Sequence, residues 1–308
     1  MRDTDRQFGA VTVLVGDKNG KYPHGNSLWV RGRDATAVID PSLSVVARAN
    51  ELRGRAGLVV QSHVHEDHVA GVHLFPRAAV HAHRADAPGL RSLQGLMAIY
   101  GYGGLEAAMR ELVESSFHYV ERPDTHDYDD GAVFDLGGTR IRAIHLPGHT
   151  RGHCALLIEP EGVLFLGDID LSSFGPYYGD AWSDLNDFER SLQRIDGIEA
   201  RVWVSFHHVG VIEQRALFDE KLARFSARIA ERDASLLDFL REPRTLAEMV
   251  AHRFLYPAHA TASFIEAAER RTIEQHLSRL LQGGEIERCD ADRYRTINDV
   301  TAYWPRSR

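Results

Sequence analysis

The chain has 308 residues, 44% of them hydrophobic and 26% charged, the make-up of a globular protein with room for one large domain or a large one plus a small one. Its formal net charge of -8 gives no overall basic field for nucleic acid, and no run approaches the roughly 20 apolar residues needed to span a bilayer. Two distant cysteines, Cys154 and Cys289, exclude a disulfide framework, and no apolar signal region follows the charged start Met1-Arg2-Asp3-Thr4-Asp5-Arg6, so a cytoplasmic location is expected.

In chain order, Val11–Val15, Asn26–Gly32 and Ala35–Asp40 read as strands, the last ending on an acidic side chain. Apolar positions at helical spacing follow over 43–53, then a buried strand, Gly57–Val60. Directly after it comes Ser62-His63-Val64-His65-Glu66-Asp67-His68, placed on a turn where close side chains can converge. A short helix is predicted from Ala70, and a strand over Ala79–His83 whose His81 and His83 share a face and take a structural role. Residues 86–118 read as two helices hinged at Gly101-Tyr102-Gly103-Gly104, inserted between strands, with Tyr100, Tyr102 and Met97 as candidate substrate contacts.

Strands return at Ala132–Leu136, Ile141–Leu146, Ala155–Ile158, Val163–Leu166 and Arg201–Ser205, with a helix over Asp187–Ile195. From about 215 the chain is helical, with Thr245 and Glu248 forming a capping box and a helix near 265–282. A hairpin over 285–297 closes it, and three helices with a terminal hairpin suggest a winged helix. The expected domains are 1–233, carrying the insert 86–118, and 234–308.

Polar residues of catalytic type stand at strand ends: Asp40, the 63–68 cluster, His149, Asp168 and the pair His207-His208. His63, His65 and His149 form one candidate metal triad. Asp67, His68 and a histidine from 207/208 form a second, with Asp168 as the bridge. Two divalent ions, with zinc the first expectation and manganese or iron also compatible, would generate a bridging hydroxide near neutral pH. Asp67 also orients that water, and Asp40 holds a ligand histidine in one tautomer.

These residues resemble the metallo-β-lactamase-fold hydrolases, which include glyoxalase II enzymes, lactonases and ribonucleases. The matching motifs are Asp40, His63-x-His65-x-Asp67-His68, His149 within Pro147-Gly148-His149-Thr150-x-Gly152-His153, Gly167-Asp168 and the final histidine. The resemblance implies an α/β fold, a four-layer αββα sandwich, here with a helical insert and a C-terminal winged-helix domain. Antibiotic-hydrolysing members often have a cysteine where this chain has Asp168, which points away from β-lactams. Matching Val209-Gly210-Val211-Ile212 to the family's Gly-x-Val-Ile tail favours His208 as the last ligand, with His207 beside it as an outer or substrate-contacting residue. His153 is expected to support ligands rather than to be one.

The function expected is cleavage of an ester, thioester or lactone bond in a small, partly hydrophobic molecule. A single-strand endoribonuclease using the same site is the alternative, and an iron-dependent oxidoreductase a further one. No membrane partner is expected, nucleic acid is the weaker partner expectation because acidic residues interleave the tail's arginines, and a homodimer through insert or tail is compatible.

Overall fold

The structure, a computed structural model, describes residues 4–290 and 292–297; the charged start at 1–3 and the end of the expected 234–308 domain lie outside the described residues. One sheet runs in the order β1 (Arg6–Phe8), β2 (Val11–Leu14), β3 (Ser27–Arg31), β4 (Thr36–Ile39), β5 (Leu58–Val60), β6 (Ala79–His83), β7 (His126–Tyr128). It is antiparallel up to β4 and parallel beyond. The second sheet runs β8 (Val133–Asp135), β9 (Arg140–His145), β10 (Cys154–Glu159), β11 (Val163–Phe165), β12 (Val202–Val204), β13 (Val211–Ile212). Only β11 and β12 pair in parallel there.

Both faces of each sheet are covered, which is why the strands read as nearly continuous apolar runs. The period of two then sorts neighbouring side chains into different cores. Val11, Val13, Leu28, Val30, Ala37, Ile39 and Val60 meet Ile141, Ala143, Leu156, Ile158, Val163, Phe165, Val202 and Val204 between the sheets. Val38, Val59 and Val80 face the opposite way, into a core shared with Leu90, Leu96, Ile99 and Val113 of the insert helices. Ile144, Ala155, Leu164 and Trp203 face Phe188, Leu192, Phe218, Leu222 and Phe225. These three cores between four layers make the αββα sandwich.

The insert between β6 and β7 holds three helices rather than two, Ala87–Arg91, Leu93–Tyr100 and Glu106–Ser115. Ser92 caps the second, accepting from Gly95 N–H, and Gly101 at φ 61 ends it, the left-handed stop that glycine makes cheap. Helix Arg215–Phe239 runs unbroken across the division at 233/234, so the boundary expected from sequence falls inside an element. After it come β14 (Arg244–Thr245), helices Leu246–His252 and Ile265–Gln282, then β15 (Ile286–Arg288) and β16 (Arg293–Thr296), paired in the order β14-β16-β15. The Thr245/Glu248 capping box is present in both directions. Among the described residues no helix is long and apolar enough to cross a membrane.

Candidate metal centre

The strands β4, β5, β9, β11 and β12 deliver their following residues to one edge of the sandwich. Asp40 follows β4 and His63 and His65 follow β5. Asp67 and His68 sit in the short helix Glu66–Val69, not on a turn as the sequence suggested, and this helix precedes the one expected from Ala70. His149 lies in the β9–β10 connection, Asp168 after β11 and His207 after β12.

Besides the set Asp40, His63 and His68, which shares a ring with each of the others, two groups of ligand-type atoms result. In the first, His65 Nδ1 is 3.1 Å from both His63 Nε2 and His149 Nε2, and His149 Nε2 is 3.2 Å from Asp168 Oδ2. In the second, His207 Nε2 is 2.9 Å from Asp67 Oδ2, and His68 Nε2 is 3.9 Å from Asp67 Oδ1. Asp168 Oδ1 stands 3.0 Å from His68 Nε2 and 3.9 Å from His207 Nε2, so the two oxygens of one carboxylate face different groups.

The remaining ring nitrogens point at outer acceptors, the arrangement that fixes tautomer and orientation in metal sites. His68 Nδ1 is 2.7 Å from Asp40 Oδ2, and Asp40 in turn accepts from Ser62 N–H at 2.6 Å. His149 Nδ1 donates to Tyr177 O at 3.0 Å and His207 Nδ1 to Gly20 O at 2.8 Å. His65 Nε2 stands 3.0 Å from Asp180 Oδ2. His153 donates from Nδ1 to Leu146 O at 3.0 Å and accepts at Nε2 from Asp168 N–H at 3.1 Å, so it steadies the bridging aspartate from behind.

Burial opposes charge on the imidazoles of the centre, and the neighbouring carboxylates favour it on some of them. Burial, followed by the neighbouring imidazoles of His68 and His149, holds His63 well below the usual histidine range. Burial and His149 push His153 down to about 3. Burial opposes protonation of His68, but the carboxylates of Asp168, Asp67 and Asp40 outweigh it and raise the ring well above its ordinary value. Against the same burial, Asp180 lifts His65 and Asp168 lifts His207, each to about 9. Among the described residues, buried Asp67 Oδ2 has no aligned hydrogen bond although His207 Nε2 is 2.9 Å away. Two ligand atoms aimed at a common point give that geometry. The donor set, imidazoles and carboxylates, suits zinc, manganese or iron.

The final histidine differs from the sequence preference. His207 joins Asp67 and His68, whereas His208, with φ 55, turns outward, its Nε2 3.8 Å from Asp170 Oδ2. His81 and His83 stack on His126 and His145, apart from both groups.

Of the candidate ligands, His65, Asp67, His149, Asp168 and His207 floor a cavity of about 290 Å³. Tyr100 and Tyr102 line it, but Met97 does not; Met109, on the next helix of the insert, takes that place, and Met97 packs on the core behind. Phe174, Tyr177 and Asp180 come from the segment after β11, and Tyr256 and Phe264 from the loop before helix Ile265–Gln282. Those five were not singled out from sequence. A cluster as aromatic as Phe174-Gly175-Pro176-Tyr177-Tyr178, closely following a ligand-bearing strand end, was the available signal for the first of these segments. Among the described lining residues there is no lysine or arginine. Glu66 accepts from Tyr22 at 3.0 Å and from Tyr100, and Asp180 accepts from Tyr102 and from Tyr177 at 3.1 Å, so these carboxylates are engaged by phenols.

Residues 22–223 match the profile of the Metallo-beta-lactamase superfamily. The chain is 25% identical over 247 residues to an atrochrysone carboxyl ACP thioesterase of Aspergillus fumigatus, covering 77% of this chain and 68% of that one. It is 28% identical over 240 residues to a hydroxyacylglutathione hydrolase of Methylococcus capsulatus, covering 73% and 79%. A metallo-beta-lactamase family protein of Thermus thermophilus superposes with TM-score 0.70 at 25% identity, covering 94% of this chain and 99% of that one.

Proposed function

This chain belongs to the metallo-beta-lactamase superfamily and is a metallo-hydrolase, and from that premise we propose that it hydrolyses a thioester of a small, uncharged acyl group at a dinuclear site. The observation that supports this best is the pair of ligand groups sharing Asp168 at the floor of an aromatic cavity without lysine or arginine. The names of the relatives, a thioesterase and a hydroxyacylglutathione hydrolase, favour a thioester over an oxygen ester or lactone.

In this reading His63, His65, His149 and Asp168 hold one ion, and Asp67, His68, His207 and Asp168 the other. Bound there, a divalent pair would supply a water acidified towards neutral pH and a Lewis-acid contact for the carbonyl oxygen. The chain's own residues do the rest. Asp67 orients the water and can move its proton towards the departing sulfur. Asp40 fixes the ring of His68 and Asp180 places a carboxylate beside His65, and the tyrosines exclude bulk water from the acyl side. The described residues from 234 onward are read as a winged helix that serves this site rather than nucleic acid, because the loop carrying Tyr256 and Phe264 lines the cavity.

The test is release of free thiol from a panel of thioesters by protein reconstituted with zinc, manganese or iron, beside labelled single-stranded RNA. Metal-dependent thiol release, abolished by a chelator and by His63→Ala, is expected. RNA cleavage lost in the same variant, without thiol release, rejects the proposal in favour of the endoribonuclease.

A further inference from the structure

The cavity has an exposed rim and a more closed end, lined by buried Tyr100, Tyr102 and Met109 and by half-buried Tyr256 and Phe264, all outside the metal-binding loops. Tyr22 (43% exposed) and His208 stand at the open rim, whereas Tyr100, Tyr102 and Met109 are buried at 4%, 6% and 4% exposure. From the floor outward the rings form a nearly parallel series. His65 and Tyr100 stack at 5.5 Å and 16°, Tyr100 and Tyr102 at 5.7 Å and 19°, and Tyr102 and Phe264 at 6.0 Å and 11°. Facing them, Phe174 and Tyr256 meet at 5.4 Å, and Tyr256 turns its ring at 76° to Phe264.

Phe264 and Tyr256 come from the C-terminal unit, and their loop is pinned. Glu269, buried in helix Ile265–Gln282, accepts three successive backbone N–H groups, from Phe254 at 3.0 Å, Leu255 at 3.0 Å and Tyr256 at 2.8 Å. Hydrogen bonds to a carboxylate are the stronger kind, so the loop is held in one place over the cavity rather than draped across it.

We infer that this closed end is the acyl pocket for an aromatic, uncharged acyl group, and that Tyr256 and Phe264 of the C-terminal unit are its specificity-determining wall. The inference rests on the thioesterase reading. At about 290 Å³ the space equals that of about ten waters, enough for a ring with small substituents. Flat rings at parallel and tilted angles offer the offset and edge contacts that aromatic groups prefer. An acyl group bearing its own carboxylate meets Glu66, Asp170 and Asp180 and no lysine or arginine among the described lining residues. The thiol carrier, whatever its size, leaves by the open rim at Tyr22 and His208.

The test compares benzoyl, acetyl and succinyl thioesters of N-acetylcysteamine, using the full chain loaded with zinc. Expected is a kcat/KM for the benzoyl ester about tenfold or more above that for the succinyl ester. In Phe264→Ala and Tyr256→Ala the benzoyl-to-acetyl ratio should fall by about tenfold, chiefly through KM. Equal losses on both esters, or succinyl turned over as well as benzoyl, overturn the proposal. Phe264→Leu, which keeps an apolar side chain of most of the volume and removes the flat ring, gives the same comparison where an alanine variant fails to fold. If no thioester is cleaved, the thioesterase reading fails by itself, and calorimetric titration with benzamide decides the pocket. Binding weakened in Phe264→Leu supports it, and binding absent or unaltered rejects it.

Discussion

At the scale of single residues, side-chain direction decides which of two adjacent histidines faces the candidate metal centre. His207 and His208 have the same chemistry and follow the same strand, but the turn gives His208 a φ of 55 and leaves it facing Asp170, while His207 is aimed at Asp67. His207→Ala should therefore lose about one of two zinc equivalents after reconstitution and desalting, whereas His208→Ala should keep both, as read by metal analysis. The reverse result would restore the preference drawn from the Gly-x-Val-Ile pattern. Gly167 is a second such position. It has φ +54, and a Cβ built there would lie 2.6 Å from His153 Nε2 and 3.0 Å from Ser62 Oγ. Gly167→Ala must displace His153 or the peptide that presents Asp168, so zinc affinity measured by chelator competition should drop about 10–100-fold, the range for disturbed ligand support. Unchanged affinity would show that Asp168 tolerates a moved backbone.

At the scale of elements, β6 places His83 on a ring of β9. His83 stacks on His145 at 4.1 Å and 12°, and burial, then the neighbouring His145, pushes its pKa from 6.5 down to about 4. The folded ring thus stays neutral over a window, about pH 4 to 6.5, in which the unfolded ring is protonated. Stability from this contact is complete above about 6.5 and is lost as pH falls towards 4, because the unfolded state then binds the extra proton. Melting temperatures of His83→Gln should decline less steeply than those of the parent between pH 7 and pH 4; parallel slopes would remove His83 from the acid response. The period of two that places His83 was readable in Ala79–His83, as were the strands that end at Asp40, His63 and Asp168, because both sheets are buried on two faces and strand ends are where polar side chains cluster. What could not be read was register between elements. Met97 and Met109 both lie on apolar faces of their helices, and only the packing of the insert decides that Met109 reaches the cavity. Asp180, Tyr256 and Phe264 lie in connections without periodicity, so no local pattern tied them to a floor built from residues far away in sequence.

At the scale of the whole molecule, the C-terminal unit is joined to the sandwich through a buried polar junction around Tyr178. Helix Arg215–Phe239 supplies Arg232, buried at 4% exposure, which donates to Tyr178 Oη at 2.9 Å, Phe174 O at 2.7 Å and Pro176 O at 2.5 Å. Helix Ile265–Gln282 supplies His276, whose Nε2 is 2.9 Å from Tyr178 Oη, and Gln275, which donates to Tyr178 O at 2.8 Å. The segment carrying Phe174, Tyr177 and Asp180 is therefore clamped between the sheet edge and the C-terminal helices, and the wall of the cavity depends on the junction. Arg232→Met keeps the bulk of the stem but leaves two buried carbonyls and a phenol without their donor. With about 1–3 kcal/mol for each buried group left unpaired, partly recovered by relaxation, a loss of about 3 kcal/mol is expected in urea unfolding. Because the clamp joins both units, parent protein should unfold in a single transition seen alike by fluorescence and circular dichroism, while the variant should show the C-terminal unit detaching first. A loss below about 0.5 kcal/mol, the range of surface substitutions, would mean that apolar packing alone, Trp203 on Phe218 at 4.7 Å and the rings beside it, holds the long helix in place and that the polar junction only fixes the position of the loop.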